Sequence, residues 1–215
     1  MKRILLAGVV ALAAISSANA ASITGLKNTG LGASGSGDSN YKLSAASSDT
    51  TISSSVPVIS YDNQWPVSPW LANSSASKWI TPTANQAQSF DAWSAGTYTY
   101  SLSFNLAGYD ATTAAFTGRF AADNVVTVKL NDTVIGSANG FADWTSFSAN
   151  SGFVAGNNTL NFTVTNWAQN GGNPTGLRVE FASSNVMAAV PEPETYAMLL
   201  GGLVVLGAVA RRRKQ

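Results

Sequence analysis

The sequence predicts an all-β protein, an antiparallel β-sandwich or jelly roll, flanked by an N-terminal signal peptide and a short C-terminal membrane helix. Three observations carry that expectation. Tyr98, Tyr100, Leu102, Phe104 and Leu106 alternate with Thr97, Thr99, Ser101, Ser103 and Asn105. A period of two belongs to a strand with one buried and one wet face. Clusters of Gly, Asn and Asp separate this run from several similar ones, and between the two ends no stretch of helix length shows a helical period. Many short strands, turn residues between them and no helices point to two sheets packed face to face.

The elements follow in order. Ser22 to Ser55 is rich in Gly, Ser, Asn and Thr, and its Gly30–Asp38 segment has side chains too small to pack, so it reads as a loop. Short strands are expected at Tyr41–Leu43 and Val56–Tyr61, then a proline-bound aromatic loop at Trp65-Pro66-Val67-Ser68-Pro69-Trp70. Thr97–Leu106 is the strongest strand. Phe116–Ala122 is a weaker one, and Val126, Val128 and Leu130 mark the next. Asn131-Asp132 opens a turn before Val134-Ile135, and Trp144–Phe147 is a further short strand. The turn Ala155-Gly156-Asn157-Asn158 leads into Leu160, Phe162 and Val164, and Leu177, Val179 and Phe181 form the last strand. Two such sheets would bury Tyr98, Leu102, Phe104, Val128, Leu130, Leu160, Phe162 and Val179 together.

Both ends read as membrane signals. Lys2 and Arg3 precede the apolar run Ile4–Ile15, and Ala18-Asn19-Ala20 has the small-x-small pattern that signal peptidase needs. Cleavage is expected after Ala20, leaving one domain over residues 21–189, best defined over 75–183. The tail, residues 190–215, runs through Pro191-Glu192-Pro193-Glu194 and an apolar segment, Tyr196–Ala210, to Arg211, Arg212, Arg213 and Lys214. As a helix that segment spans roughly 22 Å against a hydrocarbon core of about 30 Å, so the transmembrane segment 196–210 is a marginal anchor. Its basic end resists translocation and stays cytoplasmic. Pro191 and Pro193 keep the preceding backbone extended, as a protease requires.

Composition excludes several functions. The chain has no Cys and no His. Thiol nucleophiles, Ser-His-Asp triads and the usual zinc sites are therefore absent. Between residues 21 and 190, six basic and nine acidic side chains leave a net charge of −3, with no basic patch for nucleic acid. Charged residues are 11% of the chain, and Ser, Thr, Asn and Gly supply the polar surface in their place.

Tryptophan is the main candidate for function. An indole offers an apolar plate for the C–H face of a sugar ring, and neighbouring amides can bond its hydroxyls. Trp167, Gln169, Asn170 and Asn173 combine both in one loop, and Trp65 and Trp70 are further candidates. Of the six tryptophans, about two-thirds are expected in the core or under loops, with Trp167 exposed. Asp123 and Asp132 are the candidates for a structural Ca²⁺, although turn capping explains them as well and no cofactor is expected. A glycosidase needs two facing carboxylates. Asp123, Asp132, Asp143 or Glu180 can supply them, but no pattern marks a catalytic pair.

The order of the tail, VPEPETYAMLLGGLVVLGAVARRRKQ, resembles the PEP-CTERM sorting signal of Gram-negative bacteria, which is read by the membrane protease exosortase. That resemblance implies export, cleavage near Pro191-Glu192-Pro193, a transient stay in the inner membrane and a setting with exopolysaccharide machinery. The stretches FTGRFAADNVVTVKLNDTVIG, GFVAGNNTLNFTVTNW and PTGLRVEF are similar to galactose-binding-domain-like jelly rolls and to sugar-binding appendages of glycosidases. The combined expectation is a non-catalytic protein of the cell surface or biofilm matrix that contacts exopolysaccharide. The alternatives are a carbohydrate-active enzyme, hydrolase or lyase, and an ice-binding surface, for which the regular Thr-x-Thr ladder is missing.

Overall fold

The computed structural model describes residues 20–190 and 193–213. Of the signal residues named above, Lys2, Arg3, Ile4–Ile15, Ala18, Asn19, Pro191, Glu192 and Lys214 lie outside that range. The strands are β1 (Ala20–Ala21), β2 (Tyr41–Ala46), β3 (Val58–Ile59), β4 (Ile80–Thr81), β5 (Gly96–Asn105), β6 (Tyr109–Leu130), β7 (Thr133–Ala149), β8 (Asn157–Asn166) and β9 (Gly176–Ala188), followed by helix α1 (Pro193–Arg212). Residues 20–188 form one compact unit, and the C-terminal segment belongs to a second.

All strand pairs are antiparallel. One half of the sandwich is β2–β5–β8 completed by Val125–Leu130 of β6, and the other is β3–β4–β9 completed by Ala115–Asp123 of the same strand. β7 follows β6 along both halves as a long hairpin, turning at Asn131-Asp132. The inner faces meet through aromatic rings: Phe147 of β7 packs on Phe162 of β8 at 5.7 Å, and on Phe116 and Phe120 of β6 at 5.6 Å each. All eight side chains expected in the core are buried there.

Several expectations change in extent. The two strands expected at Phe116–Ala122 and Val126–Leu130 are one strand of 22 residues. Register shifts between Phe120 and Val125 insert extra residues where β6 leaves β9 for β8. A bulge reverses the in–out alternation, so the halves read as separate strands. For the same reason Val134-Ile135 and Trp144–Phe147 merge into β7. Val56–Tyr61 shrinks to Val58–Ile59. The Gly30–Asp38 loop is irregular, as expected, but not loose. Asp38 is buried and accepts the Gly30 N–H at 2.7 Å, while Thr29 bonds the backbone of Val179 and Lys78.

In the tail, the helix begins at Pro193, which was expected to be extended. Proline's fixed φ and missing N–H fit a first helical turn. No helix among the described residues is long and apolar enough to cross a membrane. Pro193-Glu194-Thr195 and Arg211-Arg212 occupy the ends of α1, so its apolar interior is shorter than the helix.

Candidate functional site

A cavity of about 190 Å³ opens where β8 ends and β9 begins. Its walls come from the 65–70 loop, from Asp123 and Asn124 at the crossing point of β6, from Phe141 of β7, and from Gln169, Gly172, Asn173 and Pro174. Five sequence-named candidates, Trp65, Trp70, Asp123, Gln169 and Asn173, therefore meet in one place. Trp167 stands beside it, while Asn170 is exposed and outside the lining.

The two tryptophans of the proline loop divide the work. Trp70 is 3% exposed and stacks on fully buried Trp79 at 4.3 Å. Its indole N–H donates to Asp123 Oδ2 at 2.8 Å, which sets the floor of the cavity. Gly176 makes room for it, since a Cβ there would lie 2.8 Å from the Trp70 ring. Trp65 is 44% exposed and forms the outer wall. Buried Gln86 holds its loop by accepting the Tyr61 N–H at 2.7 Å and donating to the carbonyls of Gln64 and Trp65.

Asp123 is 5% exposed. Burial pushes its carboxyl up to about 6, against the lowering effect of the Trp70 N–H and the Asn124 amide. Near neutral pH it is therefore a buried acceptor close to its titration point. Asn124 accepts the Trp167 N–H at 2.8 Å and so links the cavity to the next loop. Asn173 is a clamp: its amide donates to the carbonyls of Phe90 at 2.7 Å and Trp167 at 2.8 Å. Gln169 closes the same loop by donating to the carbonyls of Gly171 and Gly172. The site thus combines an apolar plate and a carboxyl in a frame where Gln169 and Asn173 spend their amide NH2 groups on backbone carbonyls and keep their amide oxygens as acceptors, a combination suited to a polyhydroxylated ring.

Other candidates are set apart. Asp132 lies exposed in the hairpin turn after β6, whose last residue, Leu130, is seven residues or roughly 23 Å along the strand from Asp123, so the two carboxylates do not meet around a cation. No group of three or more metal-ligating side chains occurs among the described residues. Asp143 is exposed on β7 and does not line the cavity. Trp93 is exposed as well, so three of the six tryptophans are exposed, more than expected. These indoles sit on loops that the sheets do not cover.

Sequence reasoning missed one charged cluster, buried at Arg178, Glu180 and Ser77 and open at Arg119. Glu180 accepts from Arg119, from Arg178 at 3.3 Å and from the Ser77 hydroxyl at 2.7 Å. Both guanidiniums lie over the Trp144 ring, at 4.5 and 4.7 Å. Burial alone would raise the Glu180 carboxyl, but Ser77 and the two arginines outweigh it and hold the carboxyl below its ordinary value. A signal was present: Arg178 and Glu180 alternate with Leu177, Val179 and Phe181, which puts the charges on one face of β9.

No curated protein matches the chain. Among solved structures, a family 29 carbohydrate-binding module complexed with cellulohexaose is similar at a TM-score of 0.37 and 10% identity, over 80% of this chain and 92% of that one. A module of the same family complexed with mannohexaose gives 0.37 and 11% over the same shares. The PA14 sugar-binding domain of an RTX adhesin gives 0.27 and 12%, over 45% of this chain and 55% of that one. At such TM-scores the likeness is remote, and no property of those proteins transfers to this chain. Residues 189–214 match the PEP-CTERM protein-sorting motif, an export signal with transient membrane anchoring.

Proposed function

We propose that this protein is exported, processed at its tail by exosortase, and acts without catalysis by binding a neutral extracellular polysaccharide in the Trp65–Asp123 cavity. One observation carries the reading: a half-exposed indole faces a cavity that also holds a buried carboxyl and amides. The weakly charged domain suits a neutral glycan, and the sorting motif supports an extracellular setting. A binding role is favoured over hydrolysis because Asp123 is the one carboxyl lining the cavity among the described residues, whereas glycoside hydrolysis uses two.

The test is a titration of intrinsic tryptophan fluorescence with a panel of neutral polysaccharides. At least one should perturb the emission, and Trp65→Ala should weaken that binding by about tenfold or more. No reducing ends should be released. A panel without response, a Trp65→Ala protein that binds as well as the parent, or steady release of reducing ends would each sink the reading.

A further inference from the structure

Two more exposed indoles stand on loops hydrogen-bonded to the cavity's lining residues. Trp93 is 77% exposed and Trp167 51%, and neither lines the cavity. A single exposed aromatic ring needs no explanation, but several on loops bonded to one another and to a cavity wall point to an interaction surface. The loops that carry them are tied together. Gln169 donates its backbone N–H to the Asp91 carbonyl at 3.1 Å, two residues before Trp93. Asn173 bridges the carbonyls of Phe90 and Trp167, and Asn166 donates to the Asp91 carboxylate at 2.9 Å.

Each backbone is also pinned locally. Asp49 accepts the N–H of Trp93 at 2.7 Å and of Ser94 at 3.2 Å, and Asn124 accepts that of Trp167 at 2.8 Å. The chain therefore spends hydrogen bonds on holding two loops whose indoles remain in water. Loops ordered before a ligand arrives lose little freedom when it binds. The carboxylate that fixes Trp93 is negative, which disfavours a polyanionic ligand.

We propose that Trp93 and Trp167 extend the Trp65 cavity into a surface that contacts several consecutive neutral sugar units at once, so that affinity grows with chain length. This inference rests on the cavity being a sugar site.

The experiment compares disaccharides and hexasaccharides of matched linkage from a neutral glycan array, measured by calorimetry on residues 21–189 and on the full chain. The hexasaccharide should bind about tenfold or more tighter than its disaccharide. Trp93→Ala and Trp167→Ala should each bring that ratio toward one, whereas Trp65→Ala should weaken both ligands together. Equal affinity for the two lengths, or an unchanged ratio in both variants, overturns the inference while leaving the cavity as a sugar site. Absence of binding to every glycan removes both readings. Sedimentation of the same variants is the second arm: dissociation of an oligomer by Trp93→Ala would make these indoles a contact between copies of this chain and would also overturn the inference.

Discussion

Asp123 occupies a position where an asparagine would satisfy the same indole, since an amide oxygen also accepts a hydrogen bond from Trp70. Its folded value of about 6 lies above the ordinary carboxylate value of about 3.9. The native state then holds the proton more tightly than the unfolded chain. In this respect stability is fullest below about pH 4, falls as pH rises to about 6, and is level beyond. Asp123→Asn should abolish that contribution: compared with the parent, the variant should gain about 1–3 kcal/mol between pH 4 and pH 7, read from urea midpoints at four pH values. Parallel curves for the two proteins would show that the carboxyl is not perturbed. A charge retained against stability fits a group held for a ligand.

At the scale of elements, close packing of β6, β7 and β9 leaves no room for a side chain at Gly118. A Cβ there would lie 2.6 Å from the Phe147 ring and 2.7 Å from the Glu180 carbonyl, and the latter is backbone that cannot swing away. Gly118→Ala should cost about 1–3 kcal/mol and lower the Tm by roughly 3–10 °C in thermal unfolding. Gly136→Ala is the control, because its nearest neighbour would be 3.5 Å away at ordinary contact. It should change stability by less than about 0.5 kcal/mol. Equal effects at the two positions would refute the packing argument. The strands themselves were legible wherever alternation runs unbroken, as in β5 and β8, because one face is buried and the other wet along their whole length. β6 was legible only in pieces, since Phe120–Asp123 is buried at four consecutive positions where the strand changes partners. The site was legible as residue types but not as a place. Trp65 and Trp167 are about a hundred residues apart, and what joins their loops is the tertiary course of β6 through Asp123-Asn124. Asn173 was named for its amide chemistry, but the fold spends that amide on two backbone carbonyls.

The whole molecule draws its core from residues between Ile23 and Val186. A chain ending at residue 188 should therefore unfold within about 2 °C of the full-length protein, because no buried apolar side chain of the sandwich is lost. A large drop in calorimetric Tm would show that the tail contributes to folding. β9 runs the length of the sandwich: Gly176 pairs with Asp123 beside the cavity, and Ala188 pairs with Tyr109 at the opposite end. β1 joins it there, Ala20 and Ala21 lying across from Met187 and Val186. Ala20 and Ala188, where the sandwich unit begins and ends, thus lie toward one pole, and the cavity lined by Trp65 lies toward the other, 13 strand residues or roughly 40 Å away. Anything fused to the sandwich at Ala20 or Ala188 is therefore attached at the pole remote from Trp65.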